Sequence, residues 1–194
     1  MVDLGCGDGR VIDAIPGTAF GCDASGALLA HAVERAPVVQ CRLPDLQWLS
    51  SGSIAGAYAV LVLEHLPELA GLFAELGRVV GSGGFVAVVA NHPAYTAPGA
   101  GPVVDPSDGE VLWRWADYFT EAAGEEPAGA HTMTFHHRPL GNIIRAAAAS
   151  GWLLDTLVER ALTIDPQDQL LAGQDRIPRL VGLRWLKSPP LGAD

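Results

Sequence analysis

The chain has 194 residues, enough for one domain or one domain with a small appendage. With 49% hydrophobic and 18% charged residues it can bury a substantial core, which excludes an intrinsically disordered chain. A net charge of −10 and a single lysine, Lys187, argue against a nucleic-acid partner, whose phosphates draw on clustered Lys and Arg.

Short β-type runs alternate with helical stretches along the chain, the pattern of a parallel sheet with helices on both faces. Val2–Leu4 reads as the first strand, and Arg10–Ile15 as a short helix stopped by Pro16-Gly17. Ala19–Cys22 is a second strand; Gly26–Arg35 follows as a helix that Ser25 can cap, and Val38–Gln40 is a brief third strand. Tyr58–Leu63 is continuously apolar, as a central strand covered on both faces should be. Over Glu68–Val80 the apolar residues Leu69, Leu72, Phe73, Leu76, Val79 and Val80 form a helical stripe, ended by Gly81-Ser82-Gly83-Gly84. Phe85–Ala90 is the fifth strand.

From Asn91 to about Gly129 the regularity breaks into a stretch rich in Gly, Pro and Ala, a length that in a compact domain usually serves function. Within it, Leu112–Phe119 is an aromatic island. Trp115, Tyr118 and Phe119 are spaced to share one helical face, which favours core packing over a roof above a ligand. Order returns with a helix over Leu140–Ala149, a strand over Trp152–Glu159 and a final strand over Arg179–Leu186; the link Ala161–Ile177 is too long for a tight hairpin.

The longest apolar runs, Ala57–Leu63 and Phe85–Ala90, fall well short of the roughly 20 residues a bilayer requires. No charged start precedes an apolar stretch as in a signal peptide, so a cytoplasmic protein without a membrane partner is expected. Cys6, Cys22 and Cys41 form an odd set, each at the end of a predicted strand, and read as reduced, mostly buried thiols. No ligand cluster for a metal stands out, so none is expected.

The chemistry lies in Val2-Asp3-Leu4-Gly5-Cys6-Gly7-Asp8-Gly9-Arg10, which joins the first strand to the first helix. Glycines let a ligand approach the backbone closely and take positive φ, and the following helix offers free N–H groups. The dinucleotide fingerprint would require glycine at position 10, where Arg10 stands, which makes a nicotinamide oxidoreductase a distant third reading. A phosphate-binding P-loop is excluded because the only Lys-Ser pair, Lys187-Ser188, lacks the preceding glycines.

Asp3-x-Gly5-x-Gly7-x-Gly9 resembles the first motif of the class I S-adenosylmethionine-dependent methyltransferases, and Gly21-Cys22-Asp23 resembles their second strand ending in an acid. Leu63-Glu64-His65-Leu66 is similar to the edge of the family's fourth strand. Phe135-His136-His137-Arg138-Pro139-Leu140 with Ala149-Ser150-Gly151-Trp152 looks like the tail of UbiE-like small-molecule members.

The resemblance implies a Rossmann-like three-layer α/β sandwich: a mostly parallel seven-stranded sheet with an antiparallel last strand. It implies one domain over 1–194, with a core at 1–91, an acceptor-side insertion at about 92–138, and a C-terminal helix and strands at 139–187. Helices that precede the first strand in relatives are expected to be missing, because the sequence starts inside that strand. S-adenosylmethionine is the implied cofactor and S-adenosylhomocysteine the product. Asp3, Gly5, Cys6, Gly7 and Gly9 would accommodate the methionine part, Asp23 and Ala24 the ribose, and Arg42 and Leu43 the adenine.

Many relatives carry an acid where Cys41-Arg42-Leu43 stands, and another entering strand four, where this chain has Ala55 or Ala57. These departures motivate the alternative of a catalytically degenerate binding module. As an enzyme, the chain would methylate a small-molecule acceptor by holding two reactants in attack geometry. A base is needed only if the acceptor must lose a proton. His65 at the carboxyl edge of strand four and the adjacent His136 and His137 are the candidates. On an extended segment the two neighbours face opposite sides, which argues against one shared metal.

Overall fold

The computed structural model of the chain describes residues 1–128, 131–163 and 174–187. Its centre is a seven-stranded sheet of β1 (Val2–Leu4), β2 (Phe20–Asp23), β3 (Val38–Gln40), β4 (Ile54–Val60), β5 (Val80–Asn91), β10 (Trp152–Arg160) and β11 (Leu180–Lys187). The spatial order is β10-β11-β5-β4-β1-β2-β3, with β11 antiparallel to both neighbours and the other pairings parallel. The strand order reverses at β1, and the carboxyl ends on either side of such a switch point frame a crevice where open α/β sheets bind ligands.

Register decides which side chains face which layer. Val2 and Leu4 stand level with Ala57 and Ala59 of β4, and Val86 and Val88 of β5 with Trp185 and Leu183 of β11. These residues are buried against Leu72, Phe73, Leu76 and Val79 of α2 (Ala70–Val79) and Ile143 and Ala147 of α4 (Leu140–Ala149), which form the main core. On the opposite face α1 (Gly26–Ala32) packs Leu29 and Ala32 on Cys6 and Ile12, a smaller cluster. Beyond it, that face is half-covered: β5 alternates buried residues with half-exposed Phe85, Ala87 and Val89. No helix of the described residues is long and apolar enough to cross a membrane.

Several elements differ from the sequence reading. The helix expected over Arg10–Ile15 is only a 3-10 turn at Ile12–Ala14, since Gly9 at φ +82° and Pro16-Gly17 leave too few residues for a second turn. The continuously apolar fourth strand ends at Val60, before Leu61 takes φ +56°. Gly81-Ser82-Gly83-Gly84 does not end the helix ahead of a loop. The chain passes from α2 at Val79 into β5 at Val80, and the glycines form an irregularity opposite Ile54 and Gly56.

The described residues of the 92–138 segment form regular elements. Helix α3 (Pro93–Thr96) leads into hairpin β6 (Gly101–Val104)–β7 (Val111–Arg114), then hairpin β8 (Ala122–Ala128)–β9 (His131–His137). The shared helical face of Trp115, Tyr118 and Phe119 does not form: β7 ends at Arg114, Ala116 takes φ +44°, and Trp115 and Phe119 are exposed. The link expected over Ala161–Ile177 lies mostly outside the described residues.

Candidate active site

β1 delivers the chain into a turn whose three glycines all lie at positive φ: Gly5 at +64°, Gly7 at +55° and Gly9 at +82°. Their surroundings differ. A Cβ on Gly5 would come within 2.6 Å of Val62 Cγ2, so here glycine lets β1 pack against the exit of β4. A Cβ on Gly7 would meet only Leu28 at 3.9 Å. Gly7 thus turns its bare side to open space, which is where a ligand could lie against the backbone.

Asp23, at the end of β2, ties the turn to the neighbouring strand. Its Oδ2 accepts the Gly7 N–H at 2.9 Å and its Oδ1 the Ser25 N–H at 2.8 Å. Ser25 in turn caps α1, its hydroxyl accepting the Leu28 N–H at 3.3 Å. Asp3 lies beneath, 1% exposed, and its Oδ2 has no hydrogen-bond partner among the described residues. Burial, and secondarily the Asp23 charge, push its carboxyl up to about 6. An ionised acid without partner donors is the costliest of buried groups, so this one is set to receive a donor or a cation.

Around this cradle, Cys6 is buried, and burial with the charges of Asp3 and Asp23 holds its thiol up at about 12. Ala24 and Arg42 are exposed and Leu43 half-buried. Cys22 is buried and Cys41 half-buried. A hydrogen bond from the Cys22 thiol draws the Cys41 thiol down to about 7 against the opposing effect of burial.

Past Val62 the chain forms a 3-10 turn, Leu63–His65, at the carboxyl edge of β4. Glu64 is buried there; its Oε1 accepts both the backbone N–H (3.0 Å) and the side-chain N–H (2.5 Å) of Asn91, while Oε2 has no partner among the described residues. Arg138, following β9, donates from Nη1 to the Leu63 carbonyl at 3.2 Å and from Nη2 to that of Leu66, clamping the turn to the second hairpin. Burial lowers the Arg138 pKa, offset by the carboxylates of Glu121, Glu68 and Glu64.

The three histidines predicted from sequence gather on this side, in different settings. His65 is half-buried, pairs through Nδ1 with the Thr134 carbonyl at 3.3 Å and meets Phe135 edge-on. His137 is buried; its Nε2 donates to the Tyr118 carbonyl at 2.8 Å and its Nδ1 bonds the Thr96 hydroxyl at 3.2 Å. His136 faces a cavity with Glu64, Asn91, Thr96 and Arg138 and makes no hydrogen bond within the described residues. Burial, then Arg138, then His65 lower its pKa, so the ring is neutral at pH 7 with a free lone pair.

Two regions therefore converge where β1 and β4 end: a glycine-and-carboxylate cradle, and a cleft built from the β4 exit and the second hairpin. Val62 against Gly5 joins them. Residues 2–88 match a protein family described as a methyltransferase domain.

No curated protein sequence matches the chain significantly. Solved structures do. A Mesorhizobium loti S-adenosylmethionine-dependent methyltransferase is 24% identical with a TM-score of 0.77, covering 96% of this chain and 90% of its own. A putative Listeria monocytogenes S-adenosylmethionine-dependent methyltransferase is 18% identical with a TM-score of 0.76 and the same coverage, 96% and 90%. A geranyl diphosphate C-methyltransferase from Streptomyces coelicolor, solved with Mg2+, geranyl diphosphate and S-adenosyl-L-homocysteine, is 17% identical (TM-score 0.62), covering 96% of this chain and 73% of its own. At these identities the likeness is one of fold.

The matched residues take in the glycine turn, Asp23 and Glu64, whereas His136, His137 and Arg138 lie beyond them. Glu64, Asn91 and Thr96 had not been singled out in the sequence. A lone acid inside the apolar run Leu61–Leu66 was the available signal for the first; nothing local marks the other two.

Proposed function

We propose that the chain transfers a methyl group from S-adenosylmethionine to a small-molecule acceptor, leaving S-adenosylhomocysteine. The observation that carries this reading is the Asp23 carboxylate bonded to the Gly7 N–H beside the unpartnered oxygen of buried Asp3. When bound, the cofactor supplies a sulfonium methyl as the electrophile.

The residues fit such a group. Each ionised carboxylate offers about four lone-pair sites. Asp23 spends two on backbone N–H groups and keeps capacity for the ribose hydroxyls. Asp3 matches the α-amino group, whose charge would repay its burial. Gly7 leaves room for the methionine limb, with Cys6 beside it, while Gly5 and Gly9 let the turn close on Val62 and Ala32; Ala24, Arg42 and Leu43 are assigned to the ribose and adenine end.

Catalysis then rests on orientation in the cleft between the β4 exit and the second hairpin. If the acceptor must lose a proton, neutral His136 takes it. His65 steadies β9 through Thr134, and His137 holds β9 to α3 and to the Tyr118 segment. The net charge of −10 supports a small acceptor over nucleic acid.

Calorimetric titration with S-adenosylhomocysteine tests the reading. The wild type binds and Asp23→Ala loses at least about tenfold in affinity, one charge-assisted hydrogen bond's worth. Absence of binding by folded wild type, or equal binding by both, overturns it.

A further inference from the structure

Resting on that reading, we infer that the acceptor-side cleft recognises an amine: an N–H-bearing, cationic nitrogen of the acceptor sits in the small cavity that Glu64 lines, paired in charge with its carboxylate. The first observation is Glu64 itself. It is 5% exposed, its Oε1 is held by two donors from Asn91, and its Oε2 has none among the described residues. A buried carboxylate oxygen left without a donor is strongly disfavoured, and an ammonium is the group that repays it best.

The second observation is size. The cavity that Glu64 lines with Asn91, Thr96 and His136 is about 20 Å3, room for one water-sized group and too little for a ring. An amine head fits it. A larger cleft of about 200 Å3, lined by Pro67, Glu121 and His137, shares His136 and Arg138 with the small cavity and provides space for the rest of a small molecule.

The third is charge. Arg138 lines both spaces but directs its donors at the Leu63 and Leu66 carbonyls, and the carboxylates of Glu64, Glu68 and Glu121 all act on it. The two linings together hold Glu64 and Glu121 against Arg138, two negative charges to one positive, which favours a cation over an anion. Neutral His136 offers a second acceptor for an N–H on the same wall.

Ligand-observed NMR with methylammonium as the probe tests the inference, with methanol and acetate as controls and S-adenosylhomocysteine titrated in parallel. Methylammonium binds the wild type in preference to both controls, and Glu64→Gln weakens it by at least about tenfold. The same variant keeps its S-adenosylhomocysteine affinity. Equal methylammonium binding by wild type and Glu64→Gln, or equal binding of methanol and methylammonium, overturns the inference. If Glu64→Gln fails to fold, the wild-type preference among the three probes decides alone. Loss of methylammonium selectivity with S-adenosylhomocysteine binding intact sinks this inference only. Failure of the wild type to bind S-adenosylhomocysteine sinks the proposed function.

Discussion

The Asp23 carboxylate accepts the Gly7 backbone N–H at 2.9 Å, so the acid that ends β2 directly shapes the turn that follows β1. One side chain therefore sets both the floor of the cradle and the position of its own remaining lone pairs. Disturbing the turn and disturbing the ligand contacts are separable, because the glycines have different neighbours.

Gly5→Ala is expected to unfold more readily, by about 2–4 kcal/mol, since the new methyl meets Val62 and the backbone lies at positive φ. Gly7→Ala bears only the backbone strain, about 1 kcal/mol, because its methyl enters open space. On the proposed function, that methyl enters the space assigned to the cofactor. Urea denaturation therefore ranks Gly5→Ala as the weaker fold, while calorimetry finds S-adenosylhomocysteine binding lost in a well-folded Gly7→Ala. A Gly7→Ala variant that binds like wild type contradicts this division.

Asp3 gives stability a pH dependence of defined sign. Its carboxyl is raised from the ordinary 3.8 to about 6 by burial and then by Asp23, so the fold prefers the protonated form. The stabilising contribution is fully present below pH 4 and is lost as pH rises through 6. At about 1.4 kcal/mol per pKa unit, and allowing for solvent screening, the ionised group costs about 2 kcal/mol at pH 7. Asp3→Asn should remove this slope in urea midpoints compared at pH 4.5 and 7.5. A cationic ligand should bind wild type more tightly as Asp3 ionises. An unchanged slope in the variant contradicts the assignment.

Cysteine chemistry separates the three thiols. Cys41 is half-buried with its pKa drawn down to about 7, whereas Cys6 and Cys22 are buried and raised. Because the thiolate is the nucleophile, iodoacetamide at pH 7.5 should label Cys41 well before the others. Peptide mass spectrometry reads the order, and Cys6 labelling first would contradict it.

The sequence disclosed the parts whose physics is local. Glycine at 5, 7 and 9 was readable because positive φ is a backbone demand that glycine meets, and the helix over Leu140–Ala149 forms with the bounds expected from the sequence. What failed depended on distant partners. The Gly81-Ser82-Gly83-Gly84 run looks like a stop, yet β4 continues the strand through it. The Gly- and Pro-rich insertion hid two hairpins whose pairing joins residues such as Pro102 with Trp113 and Ala122 with His137. Glu64 gained meaning only through Asn91, which sits 27 positions away. The histidines were found by residue type, but only tertiary contacts distinguish bonded His137 from unbonded His136.

The most direct test is an amide NMR titration of isotope-labelled protein with S-adenosylhomocysteine. The largest shifts should fall on Gly5, Gly7, Asp23 and Ser25, the groups around the Asp23 carboxylate. Shifts confined to other surfaces, or a spectrum unchanged at saturating ligand, would contradict the account.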